Sequence, residues 1–251
     1  MDLGLAGRAA LVSGASRGIG LAIARRLAAE GMRVLLVARS APPAEPPGAA
    51  AFTADLRLPE TAALAVADAV ARFGRLDLLV NCAGATRRGD FAALDDDAWT
   101  DGYALKLFGA VRLARAAWPH LRASGGGVVN IAGVGGRVAS ADFTIGGSVN
   151  AALMNLTKAL ADKGMAEGVR VNCINPGSIR TGRLDGRIAT LAAERGLDTA
   201  AAAVALAKDT GVARFGEPDE IAAMVAFLAS DQAGYVQGAI LDVDGGWVRA
   251  V

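Results

Sequence analysis

Between a short apolar run and an amphipathic stretch lies the octapeptide "SGASRGIG", residues 13–20. Few features restrict a fold so tightly. Its glycines permit a sharp strand-to-helix turn and let the backbone approach a polyphosphate, while the helix start offers free N–H groups and the positive end of a dipole. The run before it, "RAALVS", is expected to be a buried strand, and "GIGLAIARRLAAEG" a helix closed by Gly31. The spacing Gly14-x-x-x-Gly18-x-Gly20 differs from the commoner G-x-G-x-x-G. Alone, such a turn also serves plain geometry in chains that bind nothing.

The alternation continues to the C-terminus. "RVLLVA", "AAFTA", "LDLLVN", "GGVVNIAG", "VRVNCIN" and "GAILDVDGG" read as further strands. Helical patterns separate most of them. The exception is "SAPPAEPPGA", which holds four of the eight prolines and is expected to be an extended crossover. "DDDAWTDGYALKLFGAVRLARAAWPHL" reads as one long helix with aspartates in its first turn, and another is expected over residues 144–166. Short helices over residues 183–208 are expected to cover a cleft as a lid. No linker or repeat divides the chain. The pattern predicts one α/β domain, residues 1–251, with a doubly wound parallel sheet and helices on both faces.

Composition removes several function classes. A net charge of +1 over 251 residues argues against nucleic acid or a charged membrane surface as partner. The start of the chain lacks a signal-peptide pattern, apolar runs are too interrupted to span a membrane, and a cytoplasmic location is expected. Two cysteines, Cys82 and Cys173, and the single His120 give no metal cluster, so no metal is expected. His120 follows Pro119 near a helix end, where an exposed or capping role is expected.

Further short motifs follow the strands: Asp55-Leu56 after the third, "NCAG" (Asn81, Cys82, Ala83, Gly84) after the fourth and "NPGSIRT" (containing Pro176, Gly177, Ile179 and Thr181) after the sixth. At these intervals the set resembles the short-chain dehydrogenase/reductase family, including its 3-oxoacyl-carrier-protein-reductase-like members. The resemblance covers essentially the whole chain. It implies a seven-stranded sheet in the order 3-2-1-4-5-6-7, a nicotinamide dinucleotide as cofactor, and dimers or tetramers built on the long fourth and fifth helices. It also implies that Gly14, Ser16, Arg17, Gly18, Ile19, Gly20, Asp55, Leu56, Asn81, Ala83, Gly84, Pro176, Gly177, Ile179 and Thr181 bind the cofactor. With strand five between them, Cys82 and Cys173 are expected to stand too far apart for a disulfide.

At the end of the second strand an NAD enzyme usually carries an acid for the ribose 2′-OH. Here Ala38 and Arg39 stand instead, and Arg17 lies in the glycine turn. Two guanidinium groups without an acid suit a 2′-phosphate, which predicts NADP(H) over NAD(H). The plainer alternative leaves both arginines as solvated surface charges.

Carried over residue by residue, the family's catalytic pattern falls on other side chains. Its serine position is Gly133, its tyrosine Gly146, its lysine Asn150 and its asparagine Lys106. The segment "TIGGSVNAAL" therefore holds neither phenol nor lysine, and an enlarged, smoother pocket is expected. Lys106 and Asn150 exchange the family's two residues, so an amide and an ammonium could still flank the nicotinamide ribose. Burial in "YALKLFGAV" would lower the Lys106 pKa and suit it to proton transfer. The alternative is a lysine that snorkels to the helix edge. Tyr103 is the phenol nearest the expected cleft, and Tyr235 is expected to be structural; Ser148, Thr144 and Asp142 are weaker proton-transfer candidates. Arg87, Arg88, Arg137, Arg180 and Arg183 follow strand ends and would form a basic rim for an anionic small-molecule substrate if they converge. Three readings stay open: an unconventional oxidoreductase, a non-catalytic dinucleotide-binding sensor or partner subunit, and a dehydratase or isomerase on the same fold.

Overall fold

The computed structural model describes residues 2–249. Seven strands form one parallel sheet: β1 (Ala9–Ser13), β2 (Arg33–Ala38), β3 (Ala49–Thr53), β4 (Leu78–Asn81), β5 (Gly127–Ile131), β6 (Arg170–Pro176) and β7 (Ile240–Val243). Their order is β3-β2-β1-β4-β5-β6-β7. β1 lies between β2 and β4, with Leu11 in register with Leu35 and Leu79. The reversal of strand order beside β1 opens a crevice at the strands' carboxyl ends.

Eight α-helices connect or follow the strands: α1 (Gly18–Ala29), α2 (Thr61–Phe73), α3 (Asp96–Tyr103), α4 (Gly109–Ser124), α5 (Thr144–Glu167), α6 (Gly182–Arg195), α7 (Thr199–Thr210) and α8 (Pro218–Ala229). Because side chains alternate along a strand, β1 and β2 feed two cores. Ala10, Val12, Val34 and Leu36 pack with α1 and α8, whereas Leu11, Leu35 and Val37 pack with α2 and α4. Each face is thus covered, as the continuous apolar strands require.

The expected single helix over residues 95–121 is interrupted. A π-helical turn, Ala104–Phe108, joins α3 to α4. Such a turn holds one residue more than the α repeat and is common at functional sites. It keeps Leu105 in the core while Lys106 reaches the end of β5. Gly102 precedes it, where a Cβ would meet Ile145 Cγ2 at 2.7 Å, so α3 lies close on α5.

The segment after β6 forms α6 and α7, which close on their own cluster of Leu184, Leu206, Val212 and Phe215. His120 lies within α4 and is half-buried. Tyr235 is fully exposed, which corrects its expected structural role: its ring packs against no core cluster. No helix among the described residues is long and apolar enough to cross a membrane.

Candidate active site

Three loops meet above the sheet. Ser13 at the end of β1 is buried and accepts from the N–H groups of Cys82 (3.0 Å) and Ala83 (3.1 Å), while its hydroxyl donates to the Val80 carbonyl. This fixes the 13–20 turn to the segment after β4. Gly14 adopts φ +70, and a Cβ there would lie 2.8 Å from Ala83 Cα. A Cβ on Gly20 would overlap the Gly14 carbonyl group, with its carbon at 2.8 Å. Both positions therefore need glycine for backbone to approach backbone. The third loop, after β6, places Thr181 Cγ2 3.3 Å from the Cβ site of Gly18, and Gly177 packs on Asp244. Gly14, Gly18, Gly20, Ala83 and Thr181 are thereby brought together where the three loops meet.

α1 starts there without a side-chain cap and without an acid in its first turn; Leu21 N–H to Arg17 carbonyl is its first helical bond. An open helix start with glycine-permitted close approach fits the polyphosphate of a dinucleotide. Arg17 and Arg39 are exposed and have no ion-pair partner among the described residues. Asp55 accepts from the Arg57 backbone and side chain, Arg57 also binds Asp101, and Leu56 is buried. Asn81 donates to Asn130, which donates to Thr157, an amide chain that ties β4 and β5 to α5.

The reaction-centre positions are arranged around Phe143. Gly146, in the first turn of α5, faces the Phe143 ring so closely that a Cβ would overlap it. The same ring lies 2.8 Å from the Cβ site of Gly135. Gly136 packs on Ala151 N and Met154 Cε, with 2.8 and 2.5 Å to its Cβ site. The pocket is therefore not enlarged, contrary to the expectation from sequence. The space freed at Gly146 is taken by an aromatic ring, and the 133–136 loop closes on α5. Phe143 was missed because an aromatic just before a helix looks like ordinary core; the pair of glycines at 135 and 146 was the available signal.

Gly133 has φ +150, a conformation favourable to glycine, and the Asn150 amide nitrogen lies 3.0 Å from its Cβ site. Asn150 is 3 % exposed and its Oδ1 is buried without a partner. An unpaired buried acceptor costs about 1–3 kcal/mol unless a ligand supplies a donor. Asn175 holds the Gly133 N–H through Oδ1 at 3.3 Å. On the other side, Lys106 Nζ donates to the Ala132 carbonyl at 2.7 Å. Lys106 and Asn150 thus flank the same stretch of backbone, and no hydrogen bond joins them. Tyr103 stacks on Trp99 with centroids 6.4 Å apart. Ser148 donates to the Ile145 carbonyl. Thr144 Oγ1 is buried without a partner.

Burial, and then the nearby Arg183 guanidinium, pull the Lys106 ammonium down to about 8. Its stem lies on Gly84, with Cδ 2.9 Å from the Cβ site of that residue. Cys82 and Cys173 are free thiols, both pushed up to about 11 by burial. Such thiols stay protonated and inert at neutral pH.

Four of the five rim arginines are taken up by carboxylates. Arg87 pairs with Asp95 (3.5 Å), Arg137 with Asp242 (3.1 Å) and Arg180 with Glu217 (3.0 Å). Arg88 pairs with Asp142 (2.6 Å) and lies 4.0 Å over the Phe143 ring. Among the described residues Arg183 alone of the five has no carboxylate partner, and it donates to the Gly84 carbonyl at 2.6 Å. No metal-binding group of acidic, histidine or cysteine side chains occurs among the described residues.

The family model described as Enoyl-(Acyl carrier protein) reductase matches residues 14–248, every strand but β1. The chain belongs to the short-chain dehydrogenase/reductase family. Among curated members, the "Short-chain reductase protein NovJ" of Streptomyces niveus is 38% identical over 247 residues, covering 94% of this chain and 92% of NovJ. An acetoacetyl-CoA reductase of Shinella zoogloeoides is 34% identical over 245 residues, covering 95% and 98%. Among solved structures, L-sorbose reductase from Gluconobacter frateurii, complexed with NADPH and L-sorbose, superimposes with a TM-score of 0.92 at 32% identity and full coverage of both chains. The short-chain dehydrogenase/reductase sheet order is thus matched strand for strand.

Proposed function

We propose that this short-chain dehydrogenase/reductase binds NADP(H) and reduces or forms a small carbonyl compound by hydride transfer, with Lys106 in place of the family's phenol. The observation that carries this reading is the Lys106 ammonium, held at the Ala132 carbonyl and drawn down to about 8, at the reaction-centre end of the dinucleotide crevice. Backbone N–H groups of residues 16–19 would hold the diphosphate, and Arg17 and Arg39 the 2′-phosphate. Asp55, Leu56, Asn81, Ala83, Gly84 and the 176–181 loop would complete the cofactor site. The NADPH complex of L-sorbose reductase supports this choice of cofactor.

A bound nicotinamide dinucleotide supplies or accepts the hydride. The chain's own residues must manage the proton. In reduction, Lys106 Nζ gives a proton to the developing alkoxide oxygen and is left as a neutral amine, which regains a proton from solvent. Positioned acid catalysis of this kind contributes typically about 10²–10⁴-fold. The Asn150 Oδ1, buried and unpaired, is available to accept from a ribose hydroxyl. Phe143 excludes water from the place beside Gly146.

One observation favours a second reading, a dinucleotide-binding protein without turnover that serves as sensor or partner subunit. The Phe143 ring fills the position from which the family's phenol would act. Assembly through α4 and α5 is supported by Phe108 beside α4 and Met165 on α5, 49% and 67% exposed. NADPH fluorescence titration, followed by NADPH oxidation over a panel of carbonyl compounds with Lys106→Ala as control, separates the readings. Tight NADPH binding without NADPH oxidation on any compound would overturn the oxidoreductase reading in favour of the second, or of a dehydratase or isomerase on the same fold.

A further inference from the structure

Arg183 and Arg187 stand four residues apart on α6 and so share one face of that helix. Arg183 Nη2 donates to the Gly84 carbonyl at 2.6 Å, and the Lys106 stem packs on that same residue. Arg187 lies 5.9 Å from the Trp247 ring. Neither guanidinium pairs with a carboxylate among the described residues, whereas Arg87, Arg88, Arg137, Arg180, Arg195 and Arg214 all do.

Like charges crowd these two. Packing around the guanidinium and then the nearby Arg17 and Arg88 hold Arg183 below its ordinary value, although the residue as a whole is exposed; burial and then Arg88 do the same to Arg187. The acids that partly offset this at Arg187, Asp142 and Asp209, already bind Arg88 and Arg195. α6 begins at Thr181 without a side-chain cap, which adds the positive end of its dipole. Clustered cations lacking counter-charges destabilise the free protein and are relieved by an anion, which forms strong charge-assisted hydrogen bonds with guanidinium groups.

We propose that Arg183 and Arg187 bind a carboxylate or phosphate group of the substrate, which is therefore an anionic carbonyl or hydroxy compound. This rests on the crevice being the reaction site. The cofactor's phosphates have their own donors at residues 16–19, Arg17 and Arg39. Arg183 lies against Gly84 and the Lys106 stem, with Arg17 also near.

Calorimetric titration of the full chain tests the assignment, with malonate and inorganic phosphate as probes and neutral 2,4-pentanedione as control. It is run with and without saturating NADPH, at about 50 mM salt to limit screening. The expected result is binding of malonate or phosphate in the NADPH complex, weakened about tenfold or more in Arg183→Ala and Arg187→Ala. Arg183→Lys should retain part of it, and NADPH affinity should change less than about threefold in all three variants. Absence of anion binding to the wild-type NADPH complex overturns the proposal. So does a tenfold loss of NADPH affinity in Arg183→Ala with malonate binding intact, which would give this arginine to the cofactor's phosphates. A chain that turns nothing over but still binds malonate through Arg183 would refute catalysis and leave the anion site standing.

Discussion

The Phe143 ring occupies the space into which any side chain at Gly146 would have to project. Arg88 holds that ring from above, 4.0 Å from its centroid, while pairing with Asp142 one residue before it. Filling and latching the position makes the glycine a structural requirement as much as a missing functional group.

Gly146→Ala should therefore be destabilising by about 1–3 kcal/mol through overpacking, although alanine is the better helix former. Phe143→Ala should relieve it. In urea unfolding the double variant should be more stable than the sum of the two single effects by about 1 kcal/mol or more. Additive effects would mean that the ring is free to move aside.

A proton donor at Lys106 sets the pH profile. Reduction needs the ammonium form, so kcat/KM for carbonyl reduction should fall as pH rises through about 8, and oxidation of the alcohol should rise over the same interval. Arg183→Ala removes part of the burial and a repelling charge, so the limb should move to higher pH. An unmoved limb in that variant, or one that persists in Lys106→Ala, would assign the proton to another group.

The same lysine costs stability. Its value falls from 10.5 in the free side chain to about 8 in the fold. The charged form is thus disfavoured by folding, and the penalty is fully present below pH 8. It disappears as pH rises towards 10.5, because the unfolded chain binds the extra proton in that interval. Lys106→Met should stabilise the protein at pH 7 by about 1–3 kcal/mol, less what is lost at the Ala132 carbonyl. The advantage should shrink between pH 8 and 10.5 in thermal unfolding.

The cradle is tested by its tightest glycine. Gly20→Ala places a Cβ against the Gly14 carbonyl and should weaken NADPH binding about tenfold or more by fluorescence titration. Gly186→Ala is the control. It lies within α6 with nothing near its Cβ site, and should leave NADPH affinity unchanged while raising stability by about 0.5–1 kcal/mol.

Most of the sheet was legible because β1 and β2 carry uninterrupted apolar runs and the intervening helices are amphipathic, two periods that cannot be confused over such lengths. The crossover was legible through its four prolines. Less visible was the π-turn at Ala104–Phe108, since one additional residue hardly disturbs a helical pattern but is required by contacts at both ends. The ion pairs of the rim arginines are hidden in the sequence for a related reason. Arg137 and Arg180 meet Asp242 and Glu217 from distant parts of the chain, and no local pattern announces such partners. Phe143 shows the same limit at the reaction centre: Gly135 and Gly146 become informative only once the fold sets them on opposite sides of one ring.

The wide turn at Ala104–Phe108 also makes the chain sensitive to a kind of change that substitutions do not probe. Deleting one residue from it would let α3 and α4 merge into an unbroken cylinder. Everything on the amino side would then rotate by about 100° and retreat by about 1.5 Å relative to α4. Trp99 and Tyr103 would leave their present azimuth, and Gly102 would no longer meet Ile145. Length variation in this short segment should thus be purged among descendants that keep the site, while the proline-rich crossover between β2 and the edge strand β3 can lengthen or shorten freely.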